Sequence, residues 1–265
     1  MSDKAAFTIE LPVHPKDVFR LLALRSITET DGLFNKILAN FDSIFNGIEM
    51  TSRLDPNKFG RPAFEYKHEG LDIKQSCFSE MTERQLCAAK NAFFSDRIFT
   101  GIGKVLDYEM PLDDKKDSAF GKVDLVSQIG DELILLEVKK CVSNEHPLRA
   151  MFEIFTFWKT LSSSDGKFDL FLDAYTKSPT YALRKVDLCK PSKVHPGLLL
   201  CGTSDIYKEL SMPAGSDEIR DGLYRRFFQP PIGQPPIGLR VFTYDKDRLD
   251  VVEVTNDLKK RLGVN

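Results

Sequence analysis

Apolar and polar residues alternate along several short runs of this chain, and apolar residues recur at helical spacing in others. The helical spacing predicts helices over residues 82–94 and 148–161, of which the first begins with a capping-box pair, Thr82 and Gln85. Strands are predicted at residues 104–111, 122–129, 132–141, 168–175, 198–201, 239–244 and 249–254. This succession predicts an α/β fold in which helices flank a mixed β-sheet.

The N-terminal part of the chain has a weaker pattern, which we interpret as a largely helical extension. A strand-like run at 7–11 precedes helical patterns at 16–24 and 33–45, and prolines and a glycine then interrupt the chain. We therefore predict two domains, the N-terminal extension over residues 1–75 and a larger domain over residues 76–265.

Composition and charge narrow the class of protein. The chain has 265 residues, of which 42% are hydrophobic, so it can bury a core of its own. Its 37 basic and 39 acidic residues nearly balance, which removes a global attraction to nucleic acid but leaves local patches open. Five cysteines without a C-x-x-C pair argue against a disulfide framework or a zinc ribbon. With no apolar signal core or membrane-spanning run, we expect a reduced, cytoplasmic protein without a membrane partner.

The geometry of one pair of strands can be derived from the numbering. The runs 122–129 and 132–141 are separated by a Gly-Asp dipeptide, which predicts a β-hairpin with a two-residue turn. The register that this turn sets places Asp124 directly across from Glu137. Because side chains alternate between the two faces of a strand, Lys139 shares the face of both carboxylates.

Two carboxylates in this arrangement repel each other unless a positive group compensates. The run around Glu137 is apolar on both faces, as in a central strand, and an uncompensated carboxylate is costly to bury there. Two acidic oxygens and a backbone carbonyl suit Mg²⁺, which keeps water ligands and accepts phosphate oxygens. Desolvation and such a cation would lower the pKa of Lys139, which could then orient or deprotonate a water. The chemistry that follows is metal-assisted hydrolysis of a phosphodiester.

The run GKVD, which ends at Asp124, and the run LLEVK, which ends at Lys139, resemble the D…E-x-K core of a known group. This group is the PD-(D/E)XK nuclease superfamily, with the restriction-endonuclease-like fold. The resemblance implies that Asp124 and Glu137 bind Mg²⁺ or Mn²⁺ and that Val138 lends its backbone carbonyl to the metal. It also implies that Lys139 is catalytic.

The order of predicted elements over residues 79–176 is similar to that of the family core, which runs helix, three strands, helix and strand. Some members have a further acid on the first helix, for which Glu83 is the nearest counterpart and Glu80 the rival. The later helix departs from a Q-x-x-x-Y pattern of other members, since Glu153 and Phe157 stand at those positions. The resemblance implies a Mg²⁺- or Mn²⁺-dependent nuclease that cleaves DNA, and cleavage of both strands would favour a homodimer.

Two alternatives to catalysis stay open. The hairpin could be an ordinary one, with its charges at a solvated strand end where Lys122 and Lys139 neutralise the two acids. Otherwise, the domain could be a catalytically inactive nuclease-like scaffold that binds nucleic acid or protein. A metal titration followed by thermal unfolding distinguishes these alternatives from the metal site.

Two basic stretches and Glu153 each have a functional and a structural interpretation. Basic residues in 177–193 and 220–226 could follow phosphates, and aromatic neighbours could stack on bases; a solvated loop and a helix facing the core explain them equally. Glu153 could support Lys139 or face solvent. Cys141 is expected to be a buried thiol.

Overall fold

The computed structural model describes most of the larger predicted domain and one helical part of the extension. The described residues are 33–45, 69–74, 77–111, 122–143, 145–162, 169, 172–173, 176–177, 193–215, 218–229 and 237–264. The predicted elements at 7–11 and 16–24 lie outside these ranges. The helix predicted over 33–45 is confirmed as α1, Leu33–Ala39, with residues 41–45 also helical.

A seven-stranded mixed sheet forms the centre of the described structure. In spatial and chain order its strands are β1 Ile98–Phe99, β2 Gly103–Pro111, β3 Lys122–Ile129, β4 Glu132–Lys139, β5 Lys193–Cys201, β6 Arg240–Tyr244 and β7 Val251–Glu253. The first four strands pair antiparallel, β4, β5 and β6 pair parallel, and β7 returns antiparallel to β6. The prediction of a mixed sheet in an α/β fold is confirmed.

Helices cover the sheet and bury apolar side chains from both of its faces. They are α2 Glu83–Ala88, α3 Pro147–Ser162, α4 Asp205–Leu210, α5 Glu218–Phe228 and α6 Thr255–Leu262, with a 3₁₀ turn at Phe78–Glu80. Along β4, Leu133 and Leu135 belong to the apolar cluster that contains α3, whereas Ile134 and Leu136 belong to the cluster that contains α2. The continuous apolar run of β4 is therefore the run of a strand buried on both faces, as predicted.

Helix α1 and the helical residues after it pack into the core of the larger predicted domain. The ring of Phe45 stacks on Phe152 of α3, with centroids 5.3 Å apart. The ring of Phe41 meets Phe227 of α5 edge-on at 4.9 Å. The helical part of the predicted N-terminal extension thus shares one apolar cluster with α3 and α5.

The hairpin of β3 and β4 has the register that its turn predicts. Ile129 lies opposite Glu132, and the pairing continues without a shift to Leu125 opposite Leu136. Gly130 at the turn has a φ of 59°, the left-handed conformation that a tight hairpin turn requires.

The helix predicted over residues 82–94 is wrong at its C-terminal end. Helix α2 ends at Ala88, and Ala89 is already extended. The reason is a long-range contact: the Leu71 N–H donates to the Ala88 carbonyl at 2.8 Å, and the Lys90 N–H donates to the Leu71 carbonyl at 3.0 Å. Pairing with the segment around Leu71 replaces further helical hydrogen bonds.

The strand predicted over residues 168–175 is also wrong. Its described residues, Asp169, Leu172 and Asp173, are helical. Leu172 is buried while both aspartates are exposed, which is the pattern of a helix with one apolar face. The strand that runs parallel to β4 is instead β5, whose C-terminal half, predicted as 198–201, is buried on both faces.

No helix among the described residues has the length and apolar character needed to cross a bilayer.

Replacing Gly103 with alanine is expected to destabilise the fold by more than about 3 kcal/mol. Gly103 has a φ of 73°, and a Cβ there would lie 1.9 Å from the carbonyl oxygen of Gln128 on β3. Gly130 is the matched control, since its φ is also positive but nothing lies within 4 Å of an added Cβ. For Gly130→Ala we expect a loss of about 1–2 kcal/mol. Urea unfolding of both variants measures the difference, and equal losses would contradict this account of Gly103.

Candidate functional site

Glu137 and Lys139 lie near the C-terminal end of β4, on the sheet face that α3 covers. Side-chain alternation puts them there, because Leu133 and Leu135 of the same strand join the α3 cluster. Both are almost completely buried, with 4% of Glu137 and 3% of Lys139 exposed. The solvated position that one alternative gave to these charges is therefore wrong, although the pairing of Lys139 with Glu137 in the same alternative is present.

Asp124 lies at the adjoining end of β3 and reaches across to β4. Its carboxylate oxygen Oδ2 accepts the backbone N–H of Val138 at 2.8 Å. This contact stands just beyond the last backbone pair of the hairpin, Leu125 with Leu136. Asp124 is thereby held beside the peptide group that joins Glu137 to Val138.

Lys139 is bound between two carboxylates. Its Nζ lies 2.7 Å from Oε1 of Glu137 and 2.7 Å from Oε2 of Glu145, a residue of the loop before α3. Burial by itself lowers the pKa of Lys139, but the carboxylates, Glu137 first and Glu145 second, outweigh it, and the pKa lies well above its ordinary value. Without a metal, Lys139 is therefore a firmly held ammonium, and the lowered pKa expected beside a bound cation stays a prediction.

Burial raises the pKa of three carboxyl groups of the cluster, those of Asp124, Glu137 and Glu153. Burial raises the pKa of Asp124 to about 7, although Lys139 and the Val138 N–H oppose the shift. Burial, with the charge of Asp124 added, raises the pKa of Glu137 well above its ordinary value, although Lys139 lowers it. Glu153 of α3 also has a raised pKa because of burial, and its carboxyl hydrogen-bonds to that of Glu137. Glu153 therefore points into the cluster and not to solvent, and its hydrogen bond is to Glu137 and not to Lys139.

Glu83 lies at the first position of α2, close to the end of β4. The capping box predicted at this helix is present, because the Thr82 hydroxyl accepts the Gln85 N–H and the Gln85 side chain accepts the Thr82 N–H. The box fixes the start of the helix, and Glu83 there accepts the backbone N–H of Lys140 at 3.4 Å. Its rival, Glu80, belongs to the exposed face of the preceding 3₁₀ turn.

Two further contacts hold the chain just after the motif. The Tyr244 hydroxyl donates to the Lys139 carbonyl at 3.3 Å. Cys141 forms a disulfide with Cys201 at the end of β5. The expectation of a thiol at Cys141 is wrong, because the neighbouring parallel strands β4 and β5 end together and bring the two cysteines side by side.

The donor set fits a divalent cation of the magnesium type. Asp124, Glu137 and the Val138 carbonyl offer oxygen ligands, and Mg²⁺ completes its coordination with water. Four carboxylates, those of Asp124, Glu137, Glu145 and Glu153, face two cations, Lys139 and Arg149, so a bound metal ion would offset the remaining negative charge. In the described ranges, no three side chains of Asp, Glu, His or Cys are arranged to hold one metal ion together.

Comparison of the chain with protein-family models, with curated proteins and with solved structures gave no match.

The aromatic residues beside the arginines of α5 face the core, and contact of these arginines with phosphates stays a prediction. The neighbouring aromatic side chains, Tyr224, Phe227 and Phe228, are buried in the α3 cluster. Arg225 donates to a backbone carbonyl of α6, and Arg226 pairs with the acid that follows Phe41. The interpretation of base stacking at 220–226 is therefore wrong, and most of the stretch 177–193 lies outside the described residues.

The stability of the metal-free protein is expected to fall as pH rises from about 5 to about 8. The pKa of Asp124 is about 7 in the folded protein, whereas an unfolded chain has about 4. Between these values the folded state binds a proton that the unfolded state releases, so stability present at low pH is lost as pH rises through 7. Melting temperatures measured in chelator across this range test the expectation. Asp124→Asn should flatten the profile, and a wild-type stability that rises through the same window would contradict it.

Proposed function

We propose that the protein is a metal-dependent nuclease that hydrolyses phosphodiester bonds of DNA. The observation that supports this most is the largely buried cluster at the ends of β3 and β4, where Asp124 and Glu137 meet and where Lys139 and Arg149 are the cations that face four carboxylates. Such a cluster is costly for folding, and its cost is understandable when a cation and a substrate phosphate use it.

We infer a PD-(D/E)XK-type core from the same region. Apart from the two-residue strand β1 and the helical residues of 169–176, the elements α2, β2, β3, β4, α3 and β5 follow one another as helix, three strands, helix and strand, the order of that family. The last strand of the series is β5 rather than the run 168–175, and it pairs parallel to β4. The order of elements and the D…E-x-K residues support the same proposal independently.

Each residue of the cluster has a role in the proposed reaction. Asp124, Glu137 and the Val138 carbonyl hold Mg²⁺ or Mn²⁺, which supplies a Lewis acid for the phosphoryl group and a water of lowered pKa. Lys139 is held as an ammonium, with its N–H groups available to orient the attacking water. Glu83 is the additional acid at the edge of the cluster.

A catalytically inactive scaffold that binds nucleic acid or protein is the second candidate. The specific observation in its favour is the contact of 2.7 Å between Lys139 and Glu137, since an ammonium already neutralises this carboxylate without a metal. In that case the cluster would be a structural ion-pair network of the kind that also perturbs pKa values.

Cleavage of a panel of single-stranded, double-stranded and branched DNA, with an RNA of the same sequences, tests the proposal. We expect products in Mg²⁺ or Mn²⁺ and none in chelator. Cleavage of both strands of a duplex would accompany a homodimer, which light scattering measures in the same buffer. If the protein binds these nucleic acids but leaves them all uncleaved in both Mg²⁺ and Mn²⁺, the result would favour the inactive scaffold.

A further inference from the structure

The loop between β4 and α3 brings a second carboxylate to Lys139. The Nζ of Lys139 lies 2.7 Å from Glu137 on one side and 2.7 Å from Glu145 on the other. The two acids differ in their surroundings, because the side chain of Glu137 is 5% exposed and that of Glu145 is 22% exposed. Glu145 therefore contacts the ammonium from the rim of the cluster, while Glu137 contacts it from inside.

Glu145 is fixed by contacts that do not involve Glu137. Its other carboxylate oxygen pairs with Arg149, four residues further along in the first turn of α3. Its backbone N–H donates to the Ser143 hydroxyl at 3.4 Å, and the Ser143 N–H donates to the Lys140 carbonyl at 3.3 Å. The loop and the helix thus place Glu145 beside Lys139 whatever Glu137 does.

When Glu137 holds a cation, the two carboxylates that pair with Lys139 are affected differently. A carboxylate that binds a metal gives up part of its interaction with a neighbouring ammonium, and a buried ammonium that loses its partner is strongly destabilised. Glu153 offers no replacement of the same kind, since its carboxyl is hydrogen-bonded to Glu137. Glu145 remains as the carboxylate that pairs with Lys139 and is anchored elsewhere.

We propose that Glu145 is the positioning residue that keeps the Lys139 ammonium in place while Glu137 binds the metal. This inference rests on the proposed function and adds a role to it. Arg149 contributes to this positioning, because it pairs with Oε1 of Glu145 while Oε2 pairs with Lys139.

A double-mutant cycle of Lys139→Met and Glu145→Gln tests the contact. We expect Glu145→Gln to lower the melting temperature of the wild-type protein, and to leave that of Lys139→Met unchanged or raise it. In saturating Mn²⁺ the loss in the wild-type background should persist undiminished. Equal losses in both backgrounds, or a loss that vanishes in Mn²⁺, would overturn the inference.

A kinetic measurement separates positioning from general stability. On a DNA substrate that the wild-type protein cleaves, Glu145→Gln should lower kcat by ~10–100-fold and leave KM within about twofold. Glu132→Gln is the matched control, because Glu132 begins β4, at the opposite end from Lys139, and pairs with Arg240. The control should cleave like the wild-type protein, and its effect on the melting temperature should be the same in the wild-type and Lys139→Met backgrounds. A raised KM at unchanged kcat for Glu145→Gln would contradict a positioning role.

The outcomes also separate this inference from the proposed function. A wild-type protein that neither responds to Mn²⁺ nor cleaves any substrate contradicts the nuclease proposal, and with it the role of Glu145 in a reaction. A wild-type protein that does both, with Glu145→Gln behaving like the Glu132→Gln control, contradicts the role of Glu145 alone.

Discussion

Asp124→Asn is expected to reduce metal-dependent DNA cleavage by at least about 10³-fold, since a lost ligand removes several kcal/mol of transition-state stabilisation. The substitution keeps the shape of the side chain and an oxygen that can accept the Val138 N–H. The fold should therefore survive, and the metal-free protein should lose no stability, because a buried carboxylate has been removed. Single-turnover cleavage in Mn²⁺ measures the effect.

Asp131→Asn is the matched control for this prediction. It makes the same chemical change in the same hairpin, at the exposed turn instead of the buried strand end. We expect it to cleave at the wild-type rate. If Asp124→Asn retained more than about a tenth of that rate, Asp124 would have no part in metal binding or catalysis.

The second large effect is on stability. Lys139→Met is expected to cost about 3–5 kcal/mol in the metal-free protein, because it leaves the carboxylates of Glu137 and Glu145 without their shared cation in a buried site. The raised pKa of Glu137 limits the loss, since this acid can take up a proton instead. The cost should therefore grow as pH rises from about 6 to about 8. Urea unfolding at the two pH values measures it.

A neighbouring lysine and a second substitution serve as controls. Lys140→Met removes the same charge one residue later, where the side chain is only half-buried, and should cost less than about 1 kcal/mol. Adding Glu137→Gln to Lys139→Met should recover part of the lost stability, because it removes one of the carboxylates that lost the Lys139 ammonium. A Lys139→Met variant as stable as Lys140→Met would show that the buried ion pairs do not support the fold.

The part of the site that the sequence could predict is local. The two-residue turn at Gly130 determines the register of β3 and β4, so the nearness of Asp124 to Glu137 follows from chain geometry alone. The alternation of side chains then puts Lys139 on the same face. No contact from elsewhere in the chain is needed for this prediction.

Contacts that come from outside the hairpin could not be predicted from the sequence. In the metal-free protein the pKa of Lys139 is raised first by Glu137 of the same strand, and then by Glu145 and Glu153, which reach the strand from the following loop and from α3. Likewise, the disulfide joins cysteines 60 positions apart. An apolar pattern along one strand contains no information about either.

The choice of strand beside β4 shows a related limit. Residues 168–175 and the C-terminal half of β5 both have strand-like runs, and only the second is apolar without interruption. A strand between two parallel neighbours is buried on both faces, so the aspartates at 169 and 173 favour a helix with one exposed side. Helix α6 was missed because it is short and has few apolar positions, of which Leu258 and Leu262 are buried.

The melting temperature of the wild-type protein in saturating Mn²⁺, compared with chelator, tests most directly whether Asp124 and Glu137 hold a divalent cation. A ligand at a hundred times its dissociation constant stabilises the folded state by about 2.7 kcal/mol, which for a chain of this size raises the melting temperature by about 5–10 °C. We predict this rise for the wild-type protein and for Asp131→Asn, and its loss in Asp124→Asn and Glu137→Gln. An unchanged melting temperature of the wild-type protein, or the same rise in all four proteins, would contradict the metal site.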